Sequence, residues 1–131
     1  MYMQKTFLRW GAILAALSVV LGAFGAHALK QVLSEKSLAT FETGVRYQFY
    51  HAFALLVAGI LYKEFSNKYV QFSGRLFIVG IVLFSGSLYG VAALEMTAQV
   101  GLRWIGAITP LGGLCFIAGW LMLSVGVSKK S

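Results

Sequence analysis

A chain of 131 residues has room for one domain. Apolar residues make up 59% and charged residues only 11%, against roughly 25% charged in a typical soluble protein, so the composition excludes an ordinary soluble globule and points to a lipid bilayer. The net charge of +7 is scattered between apolar runs; without a basic stripe or recognition motif it implies no nucleic-acid partner and is read as a topology signal.

A membrane-spanning helix needs about 20 mainly apolar residues. Four stretches qualify, at about 7–28, 44–62, 76–94 and 104–127, which predicts an all-α, integral membrane bundle of four transmembrane helices with short connections. The first stretch has a rival reading as a signal peptide, because Lys5 and Arg9 precede it and "AHA" follows. Its apolar run from Trp10 to Ala26 is longer than the usual signal core, so a retained span is expected. The connection "LKQVLSEKSLATFET" has Leu29, Val32 and Leu33 at helical spacing and is expected to hold an interfacial turn or helix.

Lipid gives no hydrophobic drive between helices, so small residues are expected at the contacts. Ser18, Gly22 and Ala26 offer such a groove on span one, Ala54 and Ala58 on span two, Gly86 and Gly90 on span three, and Cys115 and Gly119 on span four. The lone Cys115 is read as a small buried hydrophobe. In span four, "TPLGG" places Pro110 before Gly112 and Gly113, a pattern expected to kink or break the helix.

Orientation follows the basic residues. Lys5, Arg9, Lys63, Lys68, Arg75, Lys129 and Lys130 fall on one side, against Lys30, Lys36, Arg46 and Arg103 on the other. The bias places both termini in the cytoplasm.

Ionisable groups in or beside spans are costly and mark candidate sites. His27 closes span one; Glu42, Arg46 and His51 open span two; Glu95 closes span three and Arg103 opens span four. With cytoplasmic termini these gather in the outer half of the bundle. On a helix, Glu42, Arg46 and Tyr50 share one face, while Gly44, Tyr47, Gln48 and His51 share another. Glu42 is the natural ion-pair partner of Arg46, and His51 needs a partner from another span. Ser85, Ser87 and Tyr89 in "FSGSLYG" add hydroxyls on span three. The candidate polar site is therefore His27, Glu42, Arg46, Tyr47, Gln48, His51, Ser87 and Tyr89, with a helix break at Pro110, Gly112 and Gly113. No catalytic constellation or metal-ligand spacing is readable, and the cofactor is unknown.

The segments "GAFGAHAL", "FETGVRYQFYHAFALL", "FSGSLY" and "ITPLGGLCFIAGWL" together resemble the family of small membrane proteins catalogued as domain of unknown function number 423, which has bacterial and mitochondrial-type eukaryotic members. The resemblance covers nearly the whole chain. It implies a four-span membrane protein and carries over no activity or catalytic residue. It implies motif positions at Gly22, Gly25, His27, Arg46, Tyr47, His51, Ser87, Tyr89, Pro110 and Gly112.

Three functional readings follow. The first is a structural or accessory component of the membrane, alone, as a homo-oligomer or in a larger complex. The second is a protein binding or transporting a small molecule, ion or lipid head group at the polar cluster. The third is haem or metal binding through His27 and His51. Mutual satisfaction of the polar groups without a cavity would favour the first; a shared cavity would favour the second.

Overall fold

The computed structural model describes residues 2–97 and 103–129. The side chain of Arg103 and all of Lys130, both used in the charge count above, lie outside the described residues. Helix α1 spans Tyr2–His27, and a short 3-10 turn, Leu29–Gln31, carries the chain round. Helix α2 spans Glu35–Glu64. A third rod is built from α3 (Lys68–Gly80), a π-helical segment (Ile81–Ser85) and α4 (Gly86–Thr97). A 3-10 turn, Arg103–Ala107, leads into α5 (Thr109–Ser128).

The helix starts are chemically marked. The Ser34 hydroxyl accepts the Ser37 amide at 3.1 Å and caps α2. Glu95 at the far end of α4 joins this cap by accepting from the Ser34 amide and the Ser37 hydroxyl, so a residue read as a span edge ties α4 to the start of α2. At the opposite end of the bundle, Asn67 serves two helices. Its Oδ1 accepts from the Tyr69 and Val70 amides at the start of α3. Its Nδ2 donates to Gly126 O and Lys129 O at the end of α5, at 2.9 and 3.0 Å, satisfying carbonyls that a helix end leaves free.

Helices α1 and α2 run antiparallel: Phe7 and Leu8 lie against Gly59, Gly11 against Ala52 and Leu56, and Gly25 against Phe41. Helices α3 and α5 pair likewise through reciprocal notches. Phe77 fills the space at Gly119, and Phe116 fills the space at Gly80. Phe7, fully buried, crosses from α1 into the notch at Gly74 and meets Leu55, Ala58, Val70 and Leu123 in one cluster. Aromatic rings set into glycine notches thus bring the helices close, a variant of small-residue packing. Of the Gly86–Gly90 pair only Gly90 makes a close contact, with Ile105 Cγ2 3.3 Å from a Cβ built there; nothing lies within 4 Å of one built on Gly86.

Among the described residues three helical segments are long and apolar enough to cross a membrane, Met3–Gln31, Lys68–Glu95 and Trp104–Ser128. Helix α2 is long but more polar, because Arg46, Gln48 and His51 interrupt its apolar run. Its position explains how that is tolerated. It packs against α1 on one side and the α3–π–α4 rod on the other, so Gln48 and His51 face protein.

The structure corrects the reading of Pro110. The α-helical part of the fourth span begins only at Thr109, so Pro110 sits in the first turn of α5. There its missing amide removes no helical bond and its fixed φ suits the start. The carbonyl of Ile108 is taken by the Leu111 and Gly112 amides at 3.0 and 3.2 Å. Gly112 is a close-approach point: a Cβ there would lie 2.3 Å from the Phe84 backbone nitrogen. Gly113 faces the Phe84 ring across an ordinary contact. Within the stretch read as the fourth span the α-helix gives way to the 3-10 turn just before Pro110, while Gly112 and Gly113 lie inside α5 and dock it. In the connection after α1, Leu29 and Leu33 pack inward while Val32 is exposed, and the regular helix that follows begins at Glu35.

Candidate functional site

The candidate residues separate into a buried knot, an open groove and an exposed histidine at the end of α1. The knot begins on α2. Gln48, 3% exposed, donates from Nε2 to Leu14 O of α1 at 3.0 Å and accepts from the Tyr89 hydroxyl of α4 at 2.6 Å. One amide thereby ties three helices. Ser85 donates to Gly44 O of α2 at 2.6 Å, and the Tyr89 ring lies in the notch at Gly44. Ser87 and Thr109 share a hydroxyl–hydroxyl bond of 2.5 Å between α4 and the start of α5.

The π segment sets this register. Gly86 N–H bonds Ile81 O, five residues back, and the additional residue turns α4 by about 100° relative to a continuous α-helix. The same segment presents the Phe84 backbone to Gly112. Nothing in the amino-acid pattern announced it.

His51, 5% exposed, has both ring nitrogens engaged. Nδ1 lies 2.8 Å from Tyr47 O, an acceptor only, so Nδ1 carries the proton. Nε2 lies 3.1 Å from Trp120 Nε1 of α5, a donor only, so Nε2 accepts. The partners define a neutral, Nδ1–H imidazole. The Phe116 ring stacks on it, with centroids 3.5 Å apart and planes 9° apart. The partner expected from another span is Trp120, which sequence reasoning missed. It is an apolar-looking residue on a largely lipid-facing helix, and only the pairing of α5 with α2 reveals its indole N–H as a donor. Tyr47, 37% exposed, stands at the edge of the knot with its ring 4.7 Å from Phe84. Among the described residues no buried side-chain nitrogen or oxygen lacks a hydrogen-bond partner.

The knot stands well inside the bundle. Because Gln48 reaches Leu14 and Gly11 faces Ala52, Gln48 and His51 stand near the middle of the apolar part of α1, not at its end. His27 is exposed at the end of α1. The antiparallel register separates the two histidines by about 18 Å along the bundle axis at 1.5 Å per residue, so they do not converge on one ion. Among the described residues no group of three metal-ligating side chains forms.

Glu42 and Arg46 belong to the other face of α2. Both are exposed, as the helical spacing required. They line an open groove of about 370 Å³ between α1 and α2. Val19 and Gly22 form the α1 wall; on the α2 wall Val45 lies between the two charges in depth and Phe49 about one turn below Arg46. Ser18, also in the lining, spends its hydroxyl on Leu14 O at 2.9 Å. The expected Glu42–Arg46 ion pair is not formed among the described residues.

Comparison with known proteins agrees with this architecture. Residues 21–113 match the family described as "Protein of unknown function (DUF423)". The chain is 44% identical over 126 residues to a UPF0382 membrane protein of Staphylococcus haemolyticus, covering 96% of this chain and 98% of that one. It is 44% identical over 127 residues to the UPF0382 membrane protein YwdK of Bacillus subtilis, with the same coverage of both chains. A UPF0382 membrane protein of Haemophilus influenzae is 38% identical over 128 residues, 98% of each chain. No solved structure matches the chain. The chain belongs to the DUF423 family of small bacterial membrane proteins, whose activity is not established.

Proposed function

We propose that this protein is an accessory component of the bacterial cytoplasmic membrane, a rigid four-span bundle whose interior polar groups serve packing. Helix α2 is a span beside the three more apolar ones, and both termini face the cytoplasm, as the excess of basic residues at that end favours. One observation carries the reading: the knot of Gln48, Tyr89, Ser85, His51 and Trp120 is completed within the chain. A site built for catalysis or ion passage presents polar atoms to a substrate. This knot spends them on holding helices together, and in hydrocarbon such bonds fix which faces meet.

The experiment is native electrophoresis after mild-detergent extraction, combined with cross-linking in intact membranes. The chain is expected to migrate in an assembly larger than its 14.2 kDa mass accounts for. A variant whose knot is made apolar, Gln48→Leu with Tyr89→Phe, is expected to enter the same assembly. A strictly monomeric protein, or a folded double variant that loses the assembly, overturns the proposal.

A further inference from the structure

The groove between α1 and α2 presents two opposite charges in a fixed order, and neither has a hydrogen-bond or ion-pair partner among the described residues. Arg46 lies one turn deeper than Glu42 on the same helix face. Pairs at this spacing ordinarily meet, yet no ion pair joins them among the described residues. The depth of each follows from the helix register. Gly22 faces Val45 and Gly25 faces Phe41, so Glu42 stands near the end of α1, and Arg46 about 6 Å further in. A helical side chain leans toward its own N-terminus. The guanidinium therefore rises from hydrocarbon depth toward Glu42 and the head-group level. Gly22 and Val45 stand level with the charges, and below Arg46 the groove is walled by Val19 and Phe49.

We propose that this groove binds a membrane phospholipid with a primary-ammonium head group, of the ethanolamine type. Its phosphate meets Arg46, its ammonium meets Glu42, and an acyl chain lies along Val19, Gly22 and Phe49. The order of charges decides the occupant. In a leaflet the ammonium lies outermost, the phosphate beneath it and the chains below, and the groove repeats that order. A guanidinium facing lipid is costly without an anion, and it binds phosphate through paired N–H donors. The Glu42 carboxylate needs N–H donors in turn, which a primary ammonium offers and a quaternary one does not. Gly22 keeps the groove open, since a Cβ there meets only Val45 Cγ1 at 3.6 Å, while a larger side chain would fill the space. The volume of about 370 Å³ lies within the range of about 300–1,000 Å³ common to ligand sites.

The test uses the full chain, delipidated in mild detergent, titrated with short-chain phosphatidylethanolamine, phosphatidylcholine and phosphatidylglycerol, and read by native mass spectrometry. One phosphatidylethanolamine is expected to be retained, about tenfold more tightly than either alternative. Arg46→Gln and Glu42→Gln are each expected to abolish the preference, and Gly22→Leu to block retention. Lys36→Gln, outside the groove lining, leaves it unchanged. Arg46 and Glu42 are exposed, so their variants are expected to keep the parent's helicity and unfolding transition. Equal retention of the three lipids overturns the proposal, as does an Arg46→Gln protein that binds like the parent. Phosphatidylglycerol retained as tightly as phosphatidylethanolamine, with Glu42→Gln without effect, shows an anion-only site and overturns the ammonium assignment.

Discussion

At Gly112 α5 comes close to the Phe84 backbone, and substituting it tests the packing logic directly. A Cβ at this position would lie 2.3 Å from Phe84 N, 2.7 Å from its Cα and 2.7 Å from its Cβ. Ordinary carbon contacts are about 3.5–4.0 Å, so in Gly112→Ala the start of α5 must withdraw by about 1 Å. The obstacle is mainly backbone in a helical segment, so no rotamer change relieves it. Withdrawal also loosens the notches at Gly80 and Gly119 and stretches the Ser87–Thr109 bond; a gap of about 0.5–1 Å forfeits a quarter to a half of the dispersion at a contact. Overpacking of this kind costs about 1–3 kcal/mol, offset by about 0.5–1 kcal/mol from replacing glycine by alanine within a helix. Because the clash is with backbone, a net loss of about 2 kcal/mol is expected. The assay is reversible unfolding in bicelles, followed by circular dichroism or steric trapping. Gly86→Ala is the control: the same change is made in the neighbouring rod where a Cβ meets nothing within 4 Å, and it is expected to cause no loss. A Gly112→Ala protein as stable as the parent, or as stable as the control, refutes the reasoning.

Three further outcomes are expected. Gln48→Leu deprives the Tyr89 hydroxyl of its acceptor and is expected to cost about 1–3 kcal/mol, while a double-mutant cycle with Tyr89→Phe should show coupling of about 0.6–1.7 kcal/mol; simple additivity would mean the two residues do not share a bond. Trp120→Phe keeps a ring but removes the donor to His51 Nε2, at a cost of about 1 kcal/mol. In the parent, nitrogen NMR of His51 should report a neutral Nδ1–H tautomer, and the opposite tautomer would contradict the assigned partners. For orientation, Gln31→Cys and Ser66→Cys are placed singly in a Cys115→Ser background, both at exposed positions at opposite ends of α2. An impermeant maleimide should label the first on intact cells and the second only after permeabilisation, and the reverse pattern inverts the topology.

Some of this protein was legible without coordinates, for definite physical reasons. Hydrocarbon demands long apolar helices, so the apolar runs marked where helices lie, and four long rods are present. Helical periodicity alone separated Glu42, Arg46 and Tyr50 from Gly44, Tyr47, Gln48 and His51, because residues four apart stack on one face; the first set is exposed and the second buried except for Tyr47, which stands at the stripe's exposed edge. What periodicity leaves undetermined is which face meets which helix, and at what height. The antiparallel register placed His51 at mid-depth against Trp120 and far from His27. The π segment rotated α4 so that Tyr89 reaches Gln48, and Pro110 became a helix start because a 3-10 turn takes up the residues before it. Glu42 and Arg46 sit at ion-pair spacing in sequence, yet they line a groove whose far wall belongs to α1. Local composition fixes the solvent a segment prefers and the stripe it presents; partners across helices depend on register and rotation, which arise only when all four rods pack at once.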